Sequence, residues 1–409
     1  MSTESQSSDG TPGTVECQVC QTDVPEGEFC GLCGVHLKEH KANGPEWLRI
    51  RAYSASSGEH LLRPNLVSSL FPHLSAGSRL PFLLGLGLIL TALVAATVFR
   101  LPAALVTVAA LGLPFLFLIY LQESDVHKDI PTGTLVATAA LGIGLGVGWV
   151  LLTGAVVAQA YDVGLGAGIA GFRILRDGLA VPIGGMILML VPAVVVRLFR
   201  QGSRESLEGF AIGALGALMF TAAAQMTRLA PQFSGGMVAR GRPMQGLFVE
   251  AGIRGIAVPL TAAAVGGLIG AALWFTRPEN KKHQHRNYIR IALAVFAIAV
   301  MTMYAVLGLV DVARFPQTVQ LTLHLVVALA AVLALRVGLH LALLHEEHDE
   351  ILSDEPLLCP QCGHVVPDMA FCPHCGAATR ASSRSSRRER RDVRPVRTDA
   401  SPDPGADGT

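Results

Sequence analysis

The sequence predicts an all-α polytopic membrane protein of about eight transmembrane helices, with a small cysteine module at each end. Three observations carry this. Residues of the AVILMFWYC set make up 51% of the 409 positions and charged residues only 15%, against about 25% charged in soluble domains; the mean hydropathy is +0.47. The apolar residues are concentrated between positions 80 and 344, whereas 1–79 and 345–409 are polar. All eight cysteines lie in the polar flanks, four near each end. A formal net charge of +1 excludes a globally basic nucleic-acid binder.

A spanning helix needs about 20 predominantly apolar residues. The stretches that qualify are 80–99, 101–121, 134–157, 179–199, 208–227, 247–275, 289–310 and 318–344. The glycine-rich run 163–172 is too short to span, and reads as a re-entrant turn, an interfacial segment or the start of the fourth helix. No charged stub, short apolar run and cleavage site open the chain, so the first span is expected to serve as its own insertion signal. An even count places both termini on one side. With the termini inside, the inner loops carry nine Lys and Arg against seven outside, with Arg63 and Arg79 adding to the inner side. The expected location is therefore the bacterial cytoplasmic membrane with cytosolic termini.

Gly142, Gly144, Gly146 and Gly148 form two overlapping GxxxG pairs, a signature of close helix packing. Gly166, Gly168 and Gly171 match GxGxxG but lack the preceding strand that a dinucleotide site requires. Ionisable residues within spans are costly and so mark candidate sites. Glu250 and Arg254 stand four apart, in the order that favours an ion pair on one helix face. Gln317, Gln320 and His324 share a face near the outer end of the last helix. Arg336 and His340 lie nearer its inner end, Arg336 within snorkelling reach of the headgroups. Glu123, Asp125, His127 and Asp129 follow the second helix, where they read either as a solvated charged loop or as ligands of a hard or borderline metal.

The cysteines form an internal repeat. Cys17-Gln-Val-Cys20, nine residues, then Cys30-Gly-Leu-Cys33-Gly34 is matched by Cys359-Pro-Gln-Cys362, nine residues, then Cys372-Pro-His-Cys375-Gly376. Both copies carry Val-Pro between the knuckles (Val24-Pro25, Val366-Pro367) and a Phe before the third cysteine (Phe29, Phe371). Four thiolates in two CxxC knuckles suit a closed, tetrahedral structural zinc site, and zinc then supplies folding free energy that so few residues cannot. An iron–sulfur cluster, a redox dithiol and disulfides are the alternatives. The copies, within 15–36 and 358–379, resemble short bacterial zinc ribbons found at the ends of membrane proteins. That resemblance implies metal binding at Cys17, Cys20, Cys30, Cys33, Cys359, Cys362, Cys372 and Cys375, two Zn2+ ions in all. It leaves the task open among nucleic-acid contact, protein docking and stabilising cap. His36, His364 and His374 are expected at the surface, beside complete ligand sets.

Residues 1–14 are expected to be disordered, and 37–79 to be a juxtamembrane linker whose Trp47, Leu48, Ile50 and Tyr53 lie on the inner leaflet or simply connect. The acidic 345–357 segment reads as a solvated helix end, His345-Glu346-Glu347-His348 being one residue short of HExxH. The tail 380–409, with Arg and Ser interleaved between Arg380 and Arg397, reads as disordered. It suits anionic headgroups, with nucleic acid the lesser alternative.

Over roughly 113–275 the core resembles the PrsW-type intramembrane proteases. Tyr120, Asp125 and Asp129-Ile130-Pro131 occupy the family's early Tyr, Asp and acidic-Pro positions, and Glu208-Gly209, Gly213 and Phe220 stand in its later glycine-rich pattern. The family's EN pair becomes Ala224-Gln225, its catalytic EExxK falls on Val195, Val196 and Phe199, and its His has no counterpart in 247–276. The resemblance thus implies a non-catalytic scaffold, since ligands and base for a metal-activated water are replaced by apolar groups. The expected function is a non-catalytic scaffold or regulator in contact with membrane lipids, docking protein partners through its ribbons on the cytosolic face. The alternatives are a hydrolase using Glu123, Asp125 and His127 with Glu250, or a transporter or lipid-handling protein using Glu250, Arg254 and His324.

Overall fold

The computed structural model describes residues 13–38, 45, 47–48, 50, 53–56, 59–63, 65–74, 79–161, 176–199, 205–234, 244–275, 283–313, 315–346, 355–359 and 361–393. Among these, eight helices are long and apolar enough to cross a membrane. The first four spans are Arg79–Val98, Pro102–Glu123, Thr132–Tyr161 and Val181–Phe199, the last entered through a π-helical turn, Arg176–Ala180. The fifth is Ser206–Ser234. The sixth joins Met244–Ala251, a π-helical Gly252–Ala257 and Val258–Trp274. The seventh and eighth are His283–Val312 and Gln317–His345. The glycine-rich 163–172 run lies outside the described residues.

The fifth and sixth spans form the buried centre, packed most extensively on each other. Glycine permits this. A Cβ on Gly213 would strike the Gly266 carbonyl, and one on Gly209 the Gly270 carbonyl, with the reverse clashes at Gly266 and Gly270. Two facing GxxxG pairs thus bring backbone against backbone, as in close-packed membrane helices. On the third span only Gly142 and Gly146 serve this purpose, against the Gly216 and Phe220 carbonyls of the fifth, whereas Gly144 and Gly148 face open space.

Both π-helical turns precede a proline. Pro182 and Pro259 have no N–H to offer the carbonyls of Gly178 and Gly255 four residues earlier, and their rings push those carbonyls away. A widened turn absorbs the mismatch.

The 37–79 segment is more than a linker. Asn65 accepts hydrogen bonds from the N–H groups of Val67 and Ser68, capping a short helix, Leu66–Leu70, and the surrounding chain seats on the C-terminal half of the eighth span. Arg336, fully buried, does not snorkel. Its Nε donates to Leu61 O at 2.8 Å, Nη1 to the Ser68 and Ser69 hydroxyls at 2.7 and 3.3 Å, and Nη2 to Glu59 Oε2 at 2.9 Å and His60 O at 3.2 Å. The guanidinium also stacks 3.8 Å over the Tyr53 ring. All five guanidinium donors are therefore met. One turn on, His340 donates from Nε2 to Leu48 O (2.9 Å) while Nδ1 lies 2.7 Å from the Ser54 hydroxyl, and His345 reaches Trp47 O at 3.0 Å. Trp47, Leu48 and Tyr53 are thereby held by protein.

Two further expectations are corrected on this face. Glu346 is buried, not solvated: its carboxylate accepts from the Ser206 N–H at 3.0 and 3.1 Å, placing negative charge at the N-terminus of the fifth span. The tail is ordered at least through Val393. Thr379–Ala381 forms a 3-10 turn and Arg384–Asp392 a helix capped by the Ser383 hydroxyl. This helix is held by carboxylates remote in sequence: Arg384 by Glu205 (3.3 Å) and Glu208 (2.8 Å), Arg387 by Glu205 (2.5 Å), and Arg391 by Asp368 (3.0 Å).

Removing Arg336 leaves Glu59 and several acceptors without their shared donor, so Arg336→Ala should destabilise the protein by about 3 kcal/mol or more. Arg63→Ala, on the exposed surface, should stay within about 0.5 kcal/mol. Thermal unfolding in detergent, with limited proteolysis of the 53–74 segment, checks both; equal melting curves for the two variants would show that the Arg336 network is not a main support.

Candidate metal centres and an intramembrane cavity

Each cysteine repeat folds into a two-stranded antiparallel hairpin followed by a second knuckle. In the first, β1 (Thr14–Glu16) pairs with β2 (Asp23–Pro25); in the second, β3 (Pro356–Leu358) pairs with β4 (Val365–Pro367). In all four knuckles the leading cysteine N–H bonds the carbonyl five residues on, Thr22, Val35, His364 or Ala377, at 2.8–3.0 Å. The residue after each CxxC adopts positive φ: Gly34, Gly363 and Gly376 near +71°, and Gln21 at +53°. Three of the four turns therefore use glycine, and Gln21 accepts the cost of a left-handed conformation.

Within each repeat the four sulfur atoms lie within 4.8 Å of one another. Cys17 and Cys33 are separated by 3.7 Å, Cys20 and Cys30 by 3.8 Å, Cys359 and Cys375 by 3.9 Å, and Cys362 and Cys372 by 3.8 Å. A tetrahedral ion with bonds of about 2.3 Å to sulfur requires sulfur–sulfur edges of about 3.8 Å. A disulfide requires about 2.05 Å, and all eight cysteines are free. Both cages therefore fit a tetrahedral metal ion. The Cys33 thiol and the N–H groups of Cys33 and Leu32 pull the Cys30 thiol down to about 5, and equivalent bonds from Cys372, Cys375 and the N–H groups of Cys362 and Gln361 hold Cys359 far below its ordinary range. His364 and His374 are exposed, their rings stacked at 3.8 Å. They approach Cys362, which already belongs to a complete cage.

The two repeats pack on each other reciprocally. Phe29 N donates to Pro373 O at 2.9 Å and Phe371 N to Gly31 O at 2.8 Å, equivalent positions in the two copies. The Phe371 ring covers Gly34 and the Phe29 ring covers Gly376, each too close for a Cβ. The pair is thus a pseudo-two-fold contact within one chain, of the self-complementary kind that homodimers use. It is tied to the bundle through Ala378 N to Ser54 O (2.6 Å), Gln361 to His73 (3.2 Å) and the Arg384–Asp392 helix.

The remaining polar candidates fall into two places. Glu123, Asp125, His127 and Asp129 lie on the terminal face. There Asp125 pairs with Lys128 at 3.0 Å, His127 Nδ1 lies 3.2 Å from Leu121 O, and Asp129 accepts from the Arg384 and Ser385 N–H groups at the start of the C-terminal helix. Among the described residues these four do not converge on a metal position. Glu250, Arg254 and His324, by contrast, share one cavity of about 620 Å3 in the opposite half of the bundle. Arg254 pairs with Glu250 at 3.5 Å. His324 meets Asp311 at 3.2 Å through Nε2 and donates from Nδ1 to Gln320 O at 2.9 Å.

Asp177, Gln225, Arg228, Tyr304 and Asp311 also line this cavity; Asp177, Arg228 and Asp311 were missed because they sit beyond the expected span limits, and Gln225 and Tyr304 because, uncharged, they do not register as costly charges within spans. Arg228 counts as a loop charge if the fifth helix stops at Thr227, but the helix runs to Ser234. The hydrolase set does not assemble: Ala109 of the second span touches Gly255, and Glu123 stands 14 residues, about 20 Å, further along that helix, on the side away from Glu250.

Two metal ions per chain are expected by elemental analysis, falling to one in Cys17→Ser or Cys359→Ser; an unchanged content would reject the assignment of ligands. Gln21→Gly should slow metal loss to a chelator from the N-terminal cage, by up to about 1 kcal/mol of relieved backbone cost. No protein family, characterised protein or solved structure matches the chain, so the likeness to PrsW-type proteases gains no support. What stands is a multi-pass helical protein apolar enough for membrane insertion, with a cysteine cage near each terminus.

Proposed function

We propose that this chain is a non-catalytic, membrane-integral docking protein whose two cages each hold a structural Zn2+ and together form one rigid platform on a cytosolic face. The reciprocal packing of the two ribbons, fixed to the spans at both ends of the chain, is the observation that carries this reading. Zinc suits the cages because a closed set of four thiolates leaves no open position for chemistry. The cytosolic side suits them because free thiols persist in a reducing compartment and because the inner loops hold the excess of Lys and Arg.

The two ribbons differ at an exposed cross-strand position. On the second hairpin Leu358 and Val365 face each other across the strands and are both exposed, where the first hairpin presents Glu16 opposite Asp23. An apolar cross-strand pair beside the stacked His364 and His374 offers a protein partner a small desolvated centre with a polar rim. Nucleic acid is the weaker reading, since Arg384, Arg387 and Arg391 already answer carboxylates. Arg388 is exposed and available to anionic lipid headgroups.

Protein purified from native membranes should therefore carry a partner that is lost in Val365→Asp while both metals and the melting temperature are retained. The same partner should be lost in the variant with all eight cysteines changed to Ser. A partner list unchanged in both variants would overturn docking through the ribbons.

A further inference from the structure

We infer that the cavity between the third to eighth spans is a binding site for a small anionic group, phosphate or carboxylate, borne by a ligand that also offers an O–H or N–H donor. Charge pairing inside the cavity points to the anion. Asp177 is held in a two-point contact by Arg176 at 2.8 and 3.0 Å, Glu250 by Arg254, and Asp311 by His324. Each acidic side chain thus has a basic partner. Arg228, within electrostatic range of Arg254, Tyr304 and Asp311, has no hydrogen bond or ion pair with any described residue, and its side chain is accessible at the cavity. A guanidinium that opens on a cavity between apolar helices without a protein partner suits an oxyanion, which it holds through two parallel N–H···O bonds.

Gln225 supplies the second, independent observation. It is 4% exposed, lines the same cavity one helical turn from Arg228, and its Oε1 is buried with no partner. Leaving a buried acceptor unmet is destabilising, and a ligand donor would relieve that. Hence the ligand class has an anion for Arg228 and a neighbouring hydroxyl or amine for Gln225. Both π-helical turns, set by Pro182 and Pro259, border the cavity and turn Asp177 and Arg254 toward it, and π-bulges are frequent at functional sites. A phosphoglyceride headgroup and a free hydroxylated anion present the same chemistry, so the source is left to the experiment.

Full-length protein in phosphatidylcholine nanodiscs would be titrated with glycerol phosphate and with lactate, and separately reconstituted with added phosphatidylglycerol. Trp149, which lines the cavity, provides a fluorescence readout, and native mass spectrometry counts retained lipid. At least one probe should bind, weakened about tenfold or more by Arg228→Gln and by Gln225→Leu, less by Arg228→Lys, and not by Arg100→Gln. Retention of phosphatidylglycerol alone identifies a lipid headgroup site; binding of a soluble probe alone identifies a solute site. If none of the three binds, or if Arg228→Gln and Gln225→Leu bind as the native protein does, the inference is wrong. Should Arg228→Gln fail to fold, as judged by metal content and elution, Arg228→Lys and Gln225→Leu decide the matter.

Discussion

A single buried cation organises the terminal face. Arg336 sits fully buried on the eighth span, and removing a guanidinium from water is tolerable only when its donors are met. The chain meets them with groups almost three hundred residues earlier: carbonyls at Leu61 and His60, hydroxyls at Ser68 and Ser69, and the Glu59 carboxylate, with Tyr53 beneath the plane. Glu59 itself accepts from Asn65 and Ser68, the former also capping the short helix. A pre-membrane stretch with little hydrophobicity of its own is thereby fixed, and Ser54 within it becomes the seat for the second ribbon. Among the described residues, no other side chain supplies the 53–74 segment with as many polar anchors as Arg336.

Three such long-range anchors bring the chain ends together: Arg336 with 53–69, Glu346 with the first N–H of the fifth span, and the C-terminal arginines with Glu205 and Glu208. Each couples a charge to groups that would be under-satisfied alone. The ribbons then bury their knuckle glycines under each other's phenylalanines, which lets two modules too small to carry separate cores share one surface.

The eight spans were legible because twenty-residue apolar runs have few alternative explanations, and the cages because identical CxxC spacing with one gap length is specific for a metal cage. The ordered arginine helix was not legible. Its composition satisfies every criterion for disorder, and the acids that neutralise it lie at positions 205, 208 and 368, invisible to a local window. One local signal was available: Ser383 as a cap, with Arg384, Arg387 and Arg391 spaced to share a helical face. The buried role of Arg336 was hidden for the opposite reason, since a lone arginine near a helix end satisfies the snorkelling rule equally well. The cavity was half visible: Glu250, Arg254 and His324 stood out as ionisable groups within spans, whereas Arg228 fell outside a boundary drawn seven residues short and Asp311 outside one drawn two residues short.

The fifth span connects these parts. Its first turn carries Glu208, answered by Arg384 and thus by the ribbon platform; its later turns carry Gln225 and Arg228 at the cavity. Twenty residues of helix separate Glu208 from Arg228, about 30 Å, and glycine contacts to the sixth and third spans hold that length without intervening side chains. Such a helix has little room to slide, because at Gly209 and Gly213 on the sixth span's side, and at Gly216 and Phe220 on the third's, the neighbouring backbone already touches. The platform and the cavity are therefore parts of one packed unit, and the position of the C-terminal helix is set by the same element that lines the cavity wall.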